Sequence, residues 1–222
     1  NERGLERTEG HRMGTKRAEN LIEFIAEKLP LKYLTFYTFS TENWSRPESE
    51  VRFLMSLLKD LLGKRGSKLL KNDVRLRIIG DVDGLPDRTK NVVKKTAKKT
   101  STNKGLQVVL ALNYGGRREI LNATKKIAMK VLDGELTCEE ITEKVFQSNL
   151  YTSGIPDPDL LIRTSGEKRI SNFMLWQLAY TEIWITEEFW PSFEPENFLQ
   201  AISDFQKRER RFGKVKEGKY DH

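Results

Sequence analysis

The sequence predicts an α/β fold with a central, mostly parallel sheet flanked on both faces by helices, and three observations carry that expectation. Apolar runs of strand length alternate with amphipathic helical patterns along all 222 residues. Glycine, proline and asparagine turns separate them. With 37% hydrophobic residues and no apolar run long enough to cross a membrane, the chain reads as one globular domain with one good-sized core.

Taken in order, residues 4–11 are a polar loop holding Arg7 and His11. An amphipathic helix follows, with Leu21, Ile22, Ile25 and Leu29 on one face and Pro30 at its end. Residues 33–39 are aromatic and β-branched and form a strand. It leads into a polar cluster, Ser40-Thr41-Glu42-Asn43-Trp44-Ser45-Arg46-Pro47. Ser45 and Glu48 have capping-box spacing with Pro47 in the first turn, which predicts a helix buried through Val51, Leu54, Leu58, Leu61 and Leu62. Gly63 and Gly66 each weaken it by roughly 1 kcal/mol relative to alanine and are expected to kink or end it.

A strand over 74–79 closes at Gly80-Asp81, a basic helix spans 86–99, and Asn103-Lys104-Gly105 turns into the apolar strand 106–112. Asn113-Tyr114-Gly115-Gly116-Arg117 then converts strand to helix. Its paired glycines permit a tight turn that leaves amides open to an anion, and structural need explains the motif equally well. Helical patterns continue through Ile120, Ala123, Ile127 and Val131 and again over 139–150, before the stiff connector Ile155-Pro156-Asp157-Pro158-Asp159.

Residues 160–185 organise the rest. An apolar run, 160–162, is followed by a loop with Arg163, Arg169 and Ser171, a short helical pattern, and Glu182 ahead of a second apolar run. Guanidinium forks beside a hydroxyl at the end of a strand suit a diphosphate. Glu182, returning towards the same phosphates, suits Mg²⁺, which is commonly held by one or two carboxylates with phosphate and water. The alternative is that these charges are solvated and Glu182 caps a strand. A last helix is expected over 195–211, with a frayed tail over 214–222.

The net charge of +7 favours anionic partners, and most of the excess lies in lysine and arginine patches of helical spacing. Cys138, the one cysteine, excludes an intrachain disulfide and fits a reducing compartment. One cysteine and two histidines make no usual zinc site, GxGxxG is absent, and the glycines of residues 10–16 do not meet phosphate-loop spacing. A nucleic-acid-binding domain is disfavoured because all four tryptophans, Trp44, Trp176, Trp184 and Trp190, lie at strand ends or in apolar stretches.

As a set, Gly10-His11-Arg12-Met13-Gly14, the block from Phe39 to Pro47, Asn113-Tyr114-Gly115-Gly116-Arg117, Ile162-Arg163-Thr164-Ser165-Gly166-Glu167 through Glu182, and Arg208-Glu209-Arg210-Arg211-Phe212-Gly213 resemble the cis-prenyltransferases, and among them the bacterial undecaprenyl diphosphate synthases. The likeness covers nearly the whole chain in order. It implies a homodimeric, Mg²⁺-dependent enzyme that adds isopentenyl diphosphate to an allylic diphosphate, usually farnesyl diphosphate, with an apolar tunnel for the growing Z-polyprenyl chain.

Position by position, the resemblance assigns Arg7, His11, Ser40, Thr41, Glu42, Trp44 and Arg46 to the allylic substrate and its closing loop. It assigns Arg163, Arg169, Ile170 and Ser171 to isopentenyl diphosphate and Glu182 to Mg²⁺. Asn43 is the catalytic candidate; because a neutral carboxamide is a poor base, its expected role is to orient a hydroxyl, water or phosphate, and the released diphosphate is the better proton acceptor. The tail at Arg211-Phe212-Gly213 is expected to reach the neighbouring subunit's site. Localisation follows as cytoplasmic, with contact at a membrane surface for product release.

The sequence departs from the family at its start. The strand and Asp-Gly-Asn motif that open the family pattern are expected immediately before Asn1, so a longer natural chain is expected and the sequence as written is predicted inactive. The alternative that lacks the same motif is a non-catalytic subunit of a prenyltransferase pair.

Overall fold

The computed structural model describes residues 7–209, apart from the side chains of Arg7 and of residues 64–67. Two parallel sheets carry the fold. In the first, β3 (Gln107–Tyr114) lies between β1 (Tyr33–Ser40) and β2 (Arg75–Ile79); in the second, β4 (Leu160–Arg163) pairs with β5 (Glu182–Ile185). The expected parallel sheet is thus present in two parts among the described residues. Because β3 is central, it is buried from Val108 to Tyr114, and its sequence is a continuous apolar run instead of an alternating one.

Helices pack on one face of the larger sheet, and the non-helical segment after β4 packs on the other. On one face, Leu21, Ile22 and Ile25 of α1 (Arg7–Lys28) and Val51, Met55, Leu58 and Leu62 of α2 (Glu48–Lys71) join Leu76, Val108 and Leu110 in the core. On the other, Ile79, Val109, Ala111 and Tyr114 pack with Phe173 and Met174. The remaining helices are α3 (Asp87–Lys99), α4 (Gly116–Leu132), α5 (Glu143–Asn149) and α6 (Pro195–Gln206).

Several boundaries differ from expectation for identifiable reasons. The expected loop over 4–11 is helical from Arg7, so His11 stands on α1. Gly14 explains how so polar a start is held: Trp190 donates from Nε1 to the Gly14 carbonyl at 3.0 Å, and its indole leaves no room there for a larger residue. The Ser45–Glu48 capping box does not form. Residues Thr41–Ser45 make a 3₁₀ turn with its own reciprocal cap, in which Asn43 Oδ1 accepts from the Ser40 amide at 3.0 Å, and Ser45 Oγ donates to the Glu42 carbonyl at 2.7 Å. Pro47 consequently precedes α2 and supplies the carbonyl that the Glu50 and Val51 amides bond.

α2 runs past Gly63 and Gly66 to Lys71, because burial of its apolar face outweighs the glycine cost of roughly 1 kcal/mol each. The pattern over 139–150 resolves into a 3₁₀ turn at Cys138–Glu140 and α5. No helix follows Ser171: Ser171, Asn172 and Met174 take positive φ values of 50°, 61° and 45°, which a right-handed helix excludes. α6 ends at Gln206. The expectations for the Arg7 side chain and for Arg210, Arg211, Phe212, Gly213 and the tail lie outside the described residues.

Candidate active site

The segments that follow β1, β3 and β4 meet. Ser40 and Tyr114 are partners at the ends of β1 and β3. Tyr37 donates from its hydroxyl to the carbonyls of Tyr114 at 3.4 Å and Ser171 at 3.3 Å. Asn172 donates from Nδ2 to Glu42 Oε1 at 2.7 Å, 130 residues away in sequence. The two separate polar clusters found in the sequence, around Asn43 and around Arg169, therefore lie side by side.

Beside them is a cavity of about 1370 Å³. Its walls are β1, β4 and the connector before β4, with α1 and α2 contributing Leu21, Ile22, Leu54, Met55, Leu58 and Leu61. Most of the lining is apolar, as a hydrocarbon tail requires. His11, Arg46, Glu50, Arg163 and Thr164 bring polar groups to it. Arg163 stands at the carboxyl end of β4, and its Nε is buried without a hydrogen-bond partner among the described residues. A buried, unsatisfied guanidinium donor gains most from an anionic oxygen.

Glu50 organises one side of this polar group. Its Oε1 lies 2.9 Å from Arg46 Nη1 and 3.3 Å from His11 Nε2, so one carboxylate sets the positions of two residues assigned to the allylic substrate. Burial raises the Glu50 pKa, but hydrogen bonds from His11 and Arg46 and the Arg46 charge outweigh it and hold the carboxyl below its ordinary value. Glu42 behaves similarly: desolvation raises it, while bonds from Asn172, its own amide, Ser40 and Thr41 bring it below the ordinary value. Tyr37 is pushed up to about 12, by burial first and then by the Glu42 charge.

The turn carrying Asn43 is held on both sides. Trp44 donates from Nε1 to Asn113 Oδ1 at 2.7 Å and packs edge-on against Phe39, with ring centroids 4.9 Å apart. Because Asn43 Oδ1 already accepts from the Ser40 amide, the polar hydrogens its carboxamide has to offer are those on Nδ2, as suits an orienting donor and not a base. The expectation that the Gly115-Gly116 turn leaves amides for an anion is corrected: the Gly116 amide bonds the Asn172 carbonyl at 2.7 Å and the Arg117 amide bonds Asn172 Oδ1 at 2.9 Å.

Of the assigned residues, the structure brings His11, Arg46, Arg163 and Ile170 to the cavity wall. Ser40, Thr41, Glu42, Asn43, Trp44 and Ser171 lie in the joined loops beside it. Arg169 is exposed and ion-paired to Glu167. Glu182 sits at the start of β5, opposite Leu160, whereas Arg163 is opposite Ile185. Three residues of strand, about 10 Å, therefore separate the Glu182 and Arg163 levels. Glu182 Oε2 instead accepts from Arg208 Nη1 at 2.9 Å.

No group of three or more His, Cys, Asp or Glu side chains is placed to hold a metal among the described residues. The described residues thus offer no preformed all-protein cage for Mg²⁺. Four contributors were given no site role by the sequence reading: Glu50, Tyr37, Asn113, which was noted only as part of a strand-to-helix turn motif, and Asn172. Only Glu50 had a local signal, its position four residues after Arg46 on a helix.

Sequence and structure comparisons converge on one family. The profile described as putative undecaprenyl diphosphate synthase matches residues 1–213. A ditrans,polycis-undecaprenyl-diphosphate synthase of Coxiella burnetii, specific for (2E,6E)-farnesyl diphosphate, is 49% identical over 213 residues, 96% of this chain and 90% of the relative. The crystal structure of lavandulyl diphosphate synthase from Lavandula x intermedia, in complex with dimethylallyl diphosphate, superposes with a TM-score of 0.92 at 36% identity, covering 96% of this chain and 92% of that one. A probable undecaprenyl diphosphate synthase from Campylobacter jejuni gives 0.80 at 38% identity, covering 91% and 93%. With the profile, the relative and the joined loops in agreement, the chain belongs to the undecaprenyl diphosphate synthase family and is a prenyltransferase.

Proposed function

We propose that the protein condenses isopentenyl diphosphate onto an allylic diphosphate, with farnesyl diphosphate as the preferred primer, to make a long-chain Z-polyprenyl diphosphate. The observation that carries this reading is the apolar cavity bordered by Arg163 and by the His11–Glu50–Arg46 cluster. A hydrocarbon tail fits the one and diphosphates fit the other. Among the compared proteins, the Coxiella relative is named for farnesyl diphosphate and the lavender structure holds dimethylallyl diphosphate, so both point to an allylic diphosphate.

In the reaction the allylic carbon–oxygen bond breaks and diphosphate departs with the electron pair. The alkene of isopentenyl diphosphate forms the new carbon–carbon bond, and a proton is lost from the adjacent carbon. Arg46 and Arg7 take the allylic diphosphate in this reading, with His11 and Glu50 fixing Arg46, and stabilise the charge on the leaving oxygens. Arg163, Arg169, Ile170 and Ser171 hold isopentenyl diphosphate, and Asn43 Nδ2 orients a phosphate oxygen. Phe39 and Trp44 shield the allylic carbon from water, and an aromatic face favours its positive charge. The departing diphosphate accepts the proton.

When bound, Mg²⁺ would neutralise diphosphate charge, held by one or two protein carboxylates together with substrate phosphate. Glu182 is the carboxylate we assign to it. Ile183 and Ile185 on β5 are exposed and suit a homodimer contact. No helix among the described residues is long and apolar enough to cross a membrane, and we place the enzyme in the cytoplasm with transient membrane contact as its product leaves.

The test is Mg²⁺-dependent incorporation of labelled isopentenyl diphosphate by the natural full-length protein primed with farnesyl diphosphate, with product geometry and length read by chromatography. Z-polyprenyl product is expected; an exclusively E product or no incorporation would reject the reading. Glu182→Ala should raise the Mg²⁺ concentration needed for half-maximal rate, and an unchanged requirement would remove Glu182 from the metal site.

A further inference from the structure

We propose that Asn172 is a positioning residue that couples the isopentenyl diphosphate loop to the turn carrying Asn43, an inference that rests on the prenyl-transfer reading above. Residue 172 stands where three segments join. Its carbonyl accepts the Gly116 amide at 2.7 Å and its Oδ1 accepts the Arg117 amide at 2.9 Å, fixing it over the start of α4. Its Nδ2 donates to Glu42 Oε1 at 2.7 Å, next to Asn43. Gly115 confines the carboxamide: a Cβ built there would lie 2.8 Å from Asn172 Nδ2.

The backbone supports the same role. Asn172 adopts φ 61°, a left-handed conformation that asparagine tolerates better than most residues, directly after Ser171 at φ 50°. The loop assigned to isopentenyl diphosphate, residues 163–171, therefore ends on a residue locked by backbone and side chain together. The two neighbours of Asn43 have different anchors. Trp44 is tied to Asn113 at the end of β3, a fixed part of the sheet, while Glu42 is tied to Asn172 at the end of the substrate loop. Only the second tie links the turn to a segment that responds to ligand. Isopentenyl diphosphate that orders the loop thereby also orders Glu42 and, through it, the adjacent Asn43.

Asn172→Asp keeps the acceptor for the Arg117 amide but replaces the donor facing Glu42 with a carboxylate. Glu42→Gln in the same protein supplies an amide donor that can bond Asp at 172 and restores the link with reversed polarity. In the full-length protein, Asn172→Asp alone should lower kcat/KM for isopentenyl diphosphate by about tenfold, the scale of a lost charge-assisted bond. The same change should cost less than about twofold in the Glu42→Gln background. An equal penalty in both backgrounds, or none in the parent, overturns the coupling.

Amide hydrogen exchange supplies a readout independent of turnover and of whether Asn172→Asp folds normally. Isopentenyl diphosphate added to the parent should protect residues 163–172 and also 41–45. Asn172→Gly, which retains access to the left-handed backbone, should keep the first protection and lose the second. Protection confined to 163–172 in the parent defeats the coupling alone, whereas no protection in 163–172 defeats the substrate assignment as well.

Discussion

Gly115 lies close against Thr41 of one substrate loop and Asn172 of the other, and Gly115→Ala tests whether their spacing governs catalysis. Its backbone, at φ −158° and ψ 128°, is one that alanine adopts without strain, so the effect must be steric. The added methyl would lie 2.6 Å from Thr41 Oγ1 and 2.8 Å from Asn172 Nδ2. Relief to ordinary contact requires one or both loops to move by on the order of 0.5–1 Å. Overpacking of this kind costs about 1–3 kcal/mol, or a fall in Tm of about 2–12 °C for a chain of this size. A misplacement of about 1 Å can cost catalysis about 100-fold, so we expect activity to fall roughly 10- to 100-fold. The assay pairs incorporation of labelled isopentenyl diphosphate with thermal unfolding, well below the variant's Tm. Gly63→Ala on α2 is the control: a Cβ there meets nothing within 4 Å, and helix propensity predicts unchanged activity with a gain of about 0.5–1 kcal/mol. Activity of Gly115→Ala within twofold of the parent would refute the argument that close approach of Thr41 and Asn172 fixes the active geometry.

Other consequences can be measured separately. Arg163→Ala removes the guanidinium whose Nε is buried and unpartnered among the described residues, and should raise KM for isopentenyl diphosphate at least tenfold, read by initial rates; an unchanged KM would take Arg163 out of that subsite. Tyr114→Phe leaves buried Glu119 Oε2 without the hydroxyl that donates to it at 2.5 Å and should cost about 1–3 kcal/mol in urea unfolding, whereas a neutral effect would show that Gln177 alone satisfies that oxygen. Glu50 titrates below its ordinary 4.5 in the folded protein, so its contribution to stability is complete above that value and is lost as pH falls through the lower folded value. Thermal unfolding followed from pH 7 towards acid should therefore decline more steeply for the parent than for Glu50→Gln; equal slopes would show that the His11–Glu50–Arg46 cluster adds no pH-dependent stability.

The strands were legible because burial wrote them as apolar runs: residues 106–112 read as one uninterrupted stretch since β3 has a strand on each side and packing on both faces. Two polar clusters after strands were legible as well, and the structure joins them through Glu42 and Asn172, while Glu182 stands apart from Arg163 at the other end of the strand pair. Helix limits were less so. His11 was assigned to a loop because residues 4–11 read as polar, and the contact that holds this start as helix comes from Trp190, 176 residues beyond Gly14. Ser45 and Glu48 matched a capping box by spacing, but Ser40 and Asn43 formed the box that exists, one turn earlier.

The largest gap between sequence and site concerns side chains whose partners are remote. Asn113 reaches Trp44 across 69 positions and Asn172 reaches Glu42 across 130, and nothing local to either asparagine marks the other end of the bond. Both also adopt positive φ, so at each position backbone and side chain make demands that asparagine, alone among common residues, meets together. Residue-type matching therefore finds the arginines that hold charge more readily than the neutral amides that set where that charge stands. A prenyl transfer site needs both, because a carbocation and a departing diphosphate are stabilised only by groups already in position when charge develops. Asn43 is bonded within its turn by the Ser40 amide, and that pair of asparagines holds its neighbours Glu42 and Trp44, so its position depends on the segments after β1, β3 and β4 together.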